Sequence, residues 1–401
     1  MFGLASPIFS FFSMAIGAVI MLWLTPDQYG LWQYVNLIGV YGYVLLAGIN
    51  PGLARELPYA LGAKKNNHAN NLASTTKIIS IFVALLLVVI SIISSFFISD
   101  QQIKIGIIII SIVTGIGFYR NYLLETCRAH GKLLVLLKVQ AFEILLMFVS
   151  LFAVYKFQYY GMLYRALVIM ILVTIMLSYL DPMKKISPKW NKKAFLNLLK
   201  TGFPIYMSSY LLLIGTTTDR LILANKYEPE ILGVYSPALM IFTAFQLIPN
   251  AISQYLSPKM SFQFGESNSI QEIWTMSWKS SIILLLIALP VSIFGWLIIP
   301  TLINNFYPDY VNGIQAAQIA CLSGAIASGA TGWMAMQSIK AFKAMFIIGI
   351  LIIAVGFALP LIFSTIYSPL IAVSYGKLAT FILYVLLSLI AVKFISLNKN
   401  S

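Results

Sequence analysis

Charge is scarce in this sequence of 401 residues. Only 9% of the residues are charged, whereas 60% are hydrophobic and the mean hydropathy is +0.89. A water-soluble domain carries roughly a quarter of its residues as Asp, Glu, Lys or Arg, so this chain has too little charge to cover a soluble surface. Lipid-facing helices need little charge, because hydrocarbon solvates apolar side chains. The composition therefore predicts a protein embedded in a membrane.

Residues that bind metals or form cross-links are scarce as well. The chain has two cysteines, Cys127 and Cys321, and two histidines, His68 and His130. The cysteines predict no disulfide framework, and isolated histidines with no carboxylate cluster predict no metal site. A phosphate-binding loop of the form G-x-x-x-x-G-K is also missing, which argues against ATP hydrolysis. We therefore predict no catalytic residue, no metal and no cofactor, and we expect a protein that is not an enzyme.

Long apolar runs make up most of the chain. Twelve of them approach the roughly 20 residues that span a bilayer as an α-helix. They are continuous and lack the period-two alternation of β-strands. The predicted fold class is an all-α membrane protein with about twelve transmembrane helices. The predicted spans are residues 5–24, 31–53, 78–98, 103–124, 135–155, 161–180, 202–224, 233–256, 280–303, 313–337, 344–364 and 369–392.

Basic residues are distributed unevenly between the loops. Nineteen Lys and Arg residues lie in the loops after even-numbered spans or in the C-terminal tail, against three in the alternate loops. Loops rich in Lys and Arg stay in the cytoplasm, so both termini are predicted to be cytoplasmic. The net charge of +14 is spread over many loops rather than gathered on one face, which argues against nucleic-acid binding.

A basic segment divides the chain near its middle. Residues 181–201 contain six lysines and two prolines. We interpret this segment as a cytoplasmic linker on the anionic inner leaflet, with a docking site for anionic headgroups as an open alternative. The predicted domains are an N-terminal six-helix lobe, residues 1–180, this linker, and a C-terminal six-helix lobe, residues 202–401.

A weak internal repeat accompanies this division. Gly30, in Tyr-Gly-Leu-Trp, and Gly233, in Leu-Gly-Val-Tyr, are 203 residues apart, and so are Gly62 and Gly265. Six spans per half make the repeat parallel, with its axis along the membrane normal. Two lobes related in this way are expected to surround a central cavity.

Six charged residues lie well inside the predicted spans, whereas Lys104 and Lys138, close to span ends, are counted with the loops. A charge at the bilayer centre costs roughly 2.5–3.5 kcal/mol, so we expect these side chains to face protein or a water-filled cavity. The basic residues are candidates for binding an anionic substrate, and the acidic ones for coupling transport to a proton or another cation. A buried ion-pair network is the open alternative, as is snorkelling of Arg165 and Arg120 to the interfaces. The candidates are Arg220, Lys377, Arg165 and Arg120 for the substrate, and Asp219 and Glu143 for the coupling ion.

The seventh predicted span has the most polar residues at membrane depth. On a straight helix Ser209, Thr216 and Arg220 would fall within about 40° of one another, because successive residues are about 100° apart. We therefore predict that Ser209 and Thr216 line the cavity beside Arg220. Asp219 would lie about 100° from Arg220, so the two would not form a simple facing pair.

Four motifs, in their order along the chain, resemble one known family. They are LTPDQYGLW at residues 24–32, AGINPGLARELP at 47–58, Asp219-Arg220, and LGVY at 232–235. With the six-plus-six layout, the chain resembles the Wzx-type polysaccharide flippases of the multidrug/oligosaccharidyl-lipid/polysaccharide exporter superfamily. The likeness extends over essentially the whole chain.

This resemblance implies a transporter in a bacterial inner membrane. Its substrate would be an undecaprenyl-diphosphate-linked oligosaccharide repeat unit, moved from the cytoplasmic to the periplasmic leaflet by alternating access in O-antigen or capsule assembly. Membrane lipid, a polysaccharide polymerase and other assembly proteins would be its partners. An exporter of drugs or of another lipid-linked precursor stays open, although drug exporters of this shape tend toward acidic cavities. A membrane-embedded polysaccharide polymerase is a further alternative.

Overall fold

The computed structural model describes residues 2–398, with side chains for residues 9–397. Within this range the chain forms sixteen α-helices and two 3₁₀ helices, Gly42–Leu46 and Pro308–Gly313, and no β-strand. The predicted all-α class is confirmed. Residue 1 and residues 399–401, at the ends of the predicted lobes, lie outside the described residues. The helices are α1 Phe2–Met21, α2 Pro26–Tyr41, α3 Ile49–Gly62, α4 Asn66–Ser95, α5 Gln101–Ala129, α6 Leu133–Val149, α7 Leu151–Leu180, α8 Lys192–Thr216, α9 Thr218–Lys226, α10 Pro229–Val234, α11 Ser236–Ser267, α12 Ile270–Phe306, α13 Ile314–Ser328, α14 Thr331–Ser338, α15 Phe342–Phe363 and α16 Pro369–Asn398.

Many of these helices are long and apolar enough to cross a membrane. Among the described residues eight helical segments meet this condition, or nine if the bent pair Pro26–Leu46 and Ile49–Gly62 is one span. The chain is therefore a multi-pass membrane protein. The helices α1, α6 and α8 coincide with three further predicted spans but are not among those segments, so the count of twelve stays a prediction.

Several spans are broken rather than straight. Ala47 and Gly48 have left-handed backbones, with φ of 46° and 88°, and the chain bends there by 53°. Thr217, with φ −121° and ψ 16°, separates α8 from α9. Its hydroxyl donates to Leu213 O at 2.6 Å, and such bonds compete with the regular helical ladder. The seventh span is therefore two helices, not the single straight helix on which the predicted polar stripe depends.

The chain packs into two compact units. The C-terminal unit contains residues 3–30 and 208–401, and the N-terminal unit contains residues 31–207. The packing units thus differ from the predicted domains, because the first helix packs with the C-terminal half of the chain. The predicted lobe boundaries stay a prediction.

In the N-terminal unit the basic linker is held against α4. Ser74 Oγ donates to Ser187 O at 2.6 Å and accepts from the backbone N–H of Lys189 at 2.7 Å. Lys77 Nζ donates to Ile186 O at 3.0 Å. These bonds satisfy backbone groups in the non-helical part of the linker, which precedes the start of α8 at Lys192. The linker is therefore an ordered part of this unit.

In the C-terminal unit two glycines of the sequence repeat allow a close backbone contact. A Cβ on Gly30 would overlap the carbonyl of Pro229, and a Cβ on Gly233 would overlap the carbonyl of Pro26. Pro26 and Pro229 are themselves 203 residues apart. The contact is therefore reciprocal, as a two-fold relation between the repeated segments would produce, and it joins the first turn of α2 to α10.

Small residues also bring α13 and α14 close to their neighbours. A Cβ on Gly324 would lie 2.7 Å from Phe245 Cβ, and a Cβ on Gly332 would lie 2.6 Å from the backbone of Ser388. Glycine permits such approaches in membrane helices. The C-terminal unit therefore packs α11 and α16 tightly against this broken segment.

Candidate functional site

A buried ion pair lies at the break in the seventh span. Lys377 Nζ, from α16, donates to Asp219 Oδ2 at 2.6 Å. Tyr235 OH donates to the same carboxylate oxygen at 2.9 Å. The lysine nitrogen also lies 4.3 Å from the centre of the Phe242 ring, within the range of a cation–π contact. Asp219 is 1% exposed and Lys377 is 6% exposed, so water has little access to either charge.

Broken helices position these groups. Asp219 lies in the first turn of α9, where free backbone N–H groups and the helix dipole favour a carboxylate. Tyr235 lies between α10 and α11. Asp219 Oδ1 is buried and has no hydrogen-bond partner among the described residues. The carboxylate therefore keeps one oxygen that can accept a proton or contact a cation.

Arg220 adds a second positive charge beside this pair. It follows Asp219 directly and is half-buried. Its Nε is buried without a hydrogen-bond partner, and no carboxylate of the described residues lies within 4.0 Å of its guanidinium. Two cations therefore accompany one anion, which leaves this part of the C-terminal unit with a net positive charge.

The residues of the predicted polar stripe differ in their exposure. Ser209 is exposed, whereas Thr216 is half-buried and its hydroxyl donates to Leu212 O at 2.8 Å. Because the helix breaks at Thr217, the angle expected for a straight helix does not relate these residues to Arg220. Cavity roles for Ser209 and Thr216 stay predictions.

The other predicted charges lie in the N-terminal unit and have partners there. Arg120 and Glu143 form an ion pair at 2.5 Å, with the glutamate side chain 9% exposed. Arg165 Nε donates to Ser150 Oγ at 3.0 Å. The structure thus divides the four predicted basic residues between two units, and it pairs both acids with a basic residue.

Two contributors to the site were not predicted from the sequence. Tyr235 and Phe242 complete the surroundings of the ion pair, and only Tyr235 had a signal, because it ends the motif LGVY. The described residues contain no group of three His, Cys, Asp or Glu side chains that could hold a metal ion. The assembled chemistry is the pairing of buried charges.

Solved structures of transporters have a similar fold. An inward-facing multidrug resistance MATE family transporter of the MOP superfamily superposes with a TM-score of 0.75 at 16% identity, covering 98% of this chain and 99% of that one. A MATE protein in the straight conformation gives 0.67 at 15% identity, covering 100% and 95%. A MOP superfamily transporter from Pyrococcus furiosus, described as having a binding pocket of reverse polarity, gives 0.64 at 15% identity, covering 100% and 96%. At these identities the likeness concerns the fold.

The family comparison is more specific. None of the curated proteins compared with the chain matches it. A family model described as "Polysaccharide biosynthesis protein" matches residues 23–310, which include Asp219, Arg220 and Tyr235. The match covers well over half of the chain, so this multi-pass membrane protein with a transporter fold belongs to the polysaccharide biosynthesis protein family.

Proposed function

We propose that the protein is a flippase for undecaprenyl-diphosphate-linked oligosaccharide repeat units. It moves them from the cytoplasmic to the periplasmic leaflet of a bacterial inner membrane by alternating access. The repeat units would serve O-antigen or capsule assembly, and a polysaccharide polymerase and other assembly proteins would act with it. The family's role in polysaccharide biosynthesis and the transporter fold support this proposal.

The observation that carries it is the unpaired guanidinium of Arg220. A cation at membrane depth is costly unless it faces protein, water or an anion. Lys377 is already neutralised by Asp219, whereas Arg220 has no carboxylate within ion-pair distance among the described residues. A diphosphate supplies the charge and the oxygen acceptors that a guanidinium binds in its planar geometry. Arg220 is therefore the residue that holds the diphosphate of the substrate.

Asp219 is the group that couples transport to an ion gradient. Protonation of its carboxylate, or binding of a cation at its free Oδ1, would weaken the pair with Lys377. An elementary charge that crosses 100 mV releases about 2.3 kcal/mol, enough to shift the balance between two conformations.

A reconstituted flipping assay tests the role of Arg220. The full chain is placed in proteoliposomes with a fluorescent polyprenyl-diphosphate-linked oligosaccharide, and its transfer between leaflets is followed by quenching. We expect Arg220→Gln to slow transfer at least ten-fold. Arg55→Gln, which removes an exposed arginine at the end of the second predicted span, is the charge-matched control and should keep the full rate. Full activity of Arg220→Gln at normal expression would refute the proposal.

The second candidate is an exporter of small lipophilic cations. The similarity to multidrug MATE transporters favours it, as does the buried carboxylate of Asp219. The excess of basic over acidic groups beside this carboxylate opposes it. Drug efflux from cells that express the chain, measured beside lipid flipping, separates the two candidates.

A further inference from the structure

A pocket of about 260 Å³ lies inside the C-terminal unit. Aromatic rings form one continuous wall of it: Phe242 and Phe381 are 4.9 Å apart between ring centres, and Phe381 and Tyr384 are 6.2 Å apart. Trp333 extends this wall, because its ring centre lies 5.8 Å from that of Tyr384. We call this cavity the aromatic pocket.

Amide and hydroxyl groups occupy other parts of its lining. Gln246, Asn250 and Thr216 all contribute to it, and its lining includes no charged residue among those with described side chains. The Nε2 of Gln246 is buried and has no hydrogen-bond acceptor among the described residues. An unsatisfied buried donor costs roughly 1–3 kcal/mol, so an acceptor supplied by a ligand in the pocket would stabilise this amide. The pocket therefore suits a neutral ligand that has both an apolar face and hydroxyl groups.

A sugar ring has this chemistry. Its C–H groups form an apolar face that packs on aromatic rings, and its hydroxyls exchange hydrogen bonds with amides. The volume lies just below the roughly 300–1,000 Å³ of sites for drug-sized ligands, which fits one ring rather than a whole repeat unit.

The charges of the candidate site lie about one helical turn away. Phe381 follows Lys377 by four residues in α16, on the order of 6 Å of helical rise, and Thr216 ends α8 just before the break that precedes Arg220. Phe242 contacts both regions, because its ring packs on Phe381 and lies under the Lys377 ammonium. A diphosphate at Arg220 would thus have the sugar bonded to it within reach of the aromatic pocket.

We propose that the aromatic pocket binds the sugar ring that adjoins the diphosphate of the lipid-linked substrate. Trp333 stacks on the ring, and Gln246 donates to one of its oxygens. This inference rests on the proposed function and deepens it, because it separates recognition of the sugar from recognition of the charge.

Competition between two lipids tests the inference. The full chain in detergent is mixed with a polyprenyl-diphosphate disaccharide and with the same polyprenyl diphosphate without sugar, and native mass spectrometry gives the bound fraction of each. We expect at least a ten-fold preference for the sugar-bearing lipid in the unsubstituted chain. Trp333→Ala and Gln246→Leu should lower this preference below three-fold and leave the affinity for the sugarless lipid unchanged.

Matched controls separate recognition from folding. Trp278→Ala removes an exposed tryptophan on α12, and Gln140→Leu removes another intramembrane glutamine with an unsatisfied buried amide atom. Both should keep the full preference. Gln246→Leu removes an unsatisfied donor, so it should fold at least as well as the unsubstituted chain, and a lost preference cannot then be ascribed to unfolding.

The remaining outcomes overturn the inference in distinguishable ways. If Trp333→Ala and Gln246→Leu keep the preference for the sugar-bearing lipid, the sugar binds at another site and the proposed function stands. Equal affinity of the unsubstituted chain for both lipids would mean that the protein does not recognise the sugar. If the unsubstituted chain binds neither lipid, the proposed function fails together with the inference.

Discussion

Asp219 and Lys377 are 158 residues apart in sequence and meet at 2.6 Å in a region that water hardly reaches. Removing both charges from water is expensive, and the pair offsets this cost only while both partners are present. Tyr235 and the Phe242 ring supply further stabilisation to the two charges. The stability of the C-terminal unit should therefore respond to the two residues as a couple.

A double-mutant cycle measures this coupling. Asp219→Asn or Lys377→Met alone leaves one buried charge without its partner, and each should lower the free energy of unfolding by about 3–5 kcal/mol. The combination Asp219→Asn with Lys377→Met should recover most of that loss, because no charge stays buried. Reversible unfolding in mixed micelles gives the three values.

A pair with an exposed arginine is the control for this cycle. Arg128 and Glu125 are 2.6 Å apart, but the arginine side chain is 50% exposed, so substitution should change stability by less than about 1 kcal/mol. Strictly additive losses at Asp219 and Lys377 would contradict a coupled pair.

At the residue scale the sequence identifies the charged residues that lie inside apolar helices more easily than it identifies the residues with which they pair. Asp219, Lys377, Arg120 and Glu143 stand out because each interrupts an apolar run. The sequence leaves a buried ion-pair network open as an alternative, but it does not identify which charged residues pair. Partners from distant spans depend on which helices are neighbours, and helical periodicity alone does not contain that information.

At the scale of elements, the glycines of the sequence repeat have very different surroundings. Gly30 and Gly233 abut backbone carbonyls, whereas a Cβ built on Gly62 or Gly265 would have no atom within 4 Å among the described residues, apart from its own stretch of helix. A close backbone contact thus requires glycine at positions 30 and 233. No such contact requires glycine at positions 62 and 265. The sequence revealed the spacing, but only the packing distinguishes the two pairs.

This contrast gives a prediction with an internal control. Gly30→Ala and Gly233→Ala should each destabilise the C-terminal unit by about 1–3 kcal/mol, because the added methyl overlaps a carbonyl and the backbone must shift. Gly62→Ala and Gly265→Ala should be neutral or stabilising by up to about 1 kcal/mol. Thermal unfolding of the four variants provides the comparison. Similar losses in both pairs would contradict a specific contact at Gly30 and Gly233.

Helix breaks show why element boundaries were harder to predict than elements. The apolar runs correspond to helices throughout the described residues. Thr217 and Ala47, where two spans break, belong to residue types that also occur within helices. Tertiary contacts and side-chain hydrogen bonds decide such breaks, so local propensity did not locate the start of α9 that carries Asp219.

At the scale of the whole molecule, the distribution of basic loops predicts which loops face the cytoplasm. Cysteine labelling in intact cells tests this topology with little background, because both native cysteines, Cys127 and Cys321, are buried and free. A membrane-impermeant maleimide should label Asn304→Cys from outside. It should label Lys64→Cys only after the cells are opened. The reverse pattern would invert the predicted orientation and the proposed direction of transport.

The energy source is the remaining property of the whole molecule. The sequence has no phosphate-binding loop, so we expect flipping in proteoliposomes without nucleotide.

If Asp219 binds the coupling ion, an imposed proton or sodium gradient should drive the lipid-linked oligosaccharide to accumulate in one leaflet. Asp219→Asn cannot ionise, so the fraction of this variant that is folded should still equilibrate the lipid but lose this accumulation, with at least a ten-fold smaller leaflet ratio. Asp309→Asn, which alters an exposed acid, should respond as the unsubstituted chain does. Gradient-driven accumulation that survives Asp219→Asn would assign the coupling to another group, and Glu143 beside Arg120 would be the next to substitute.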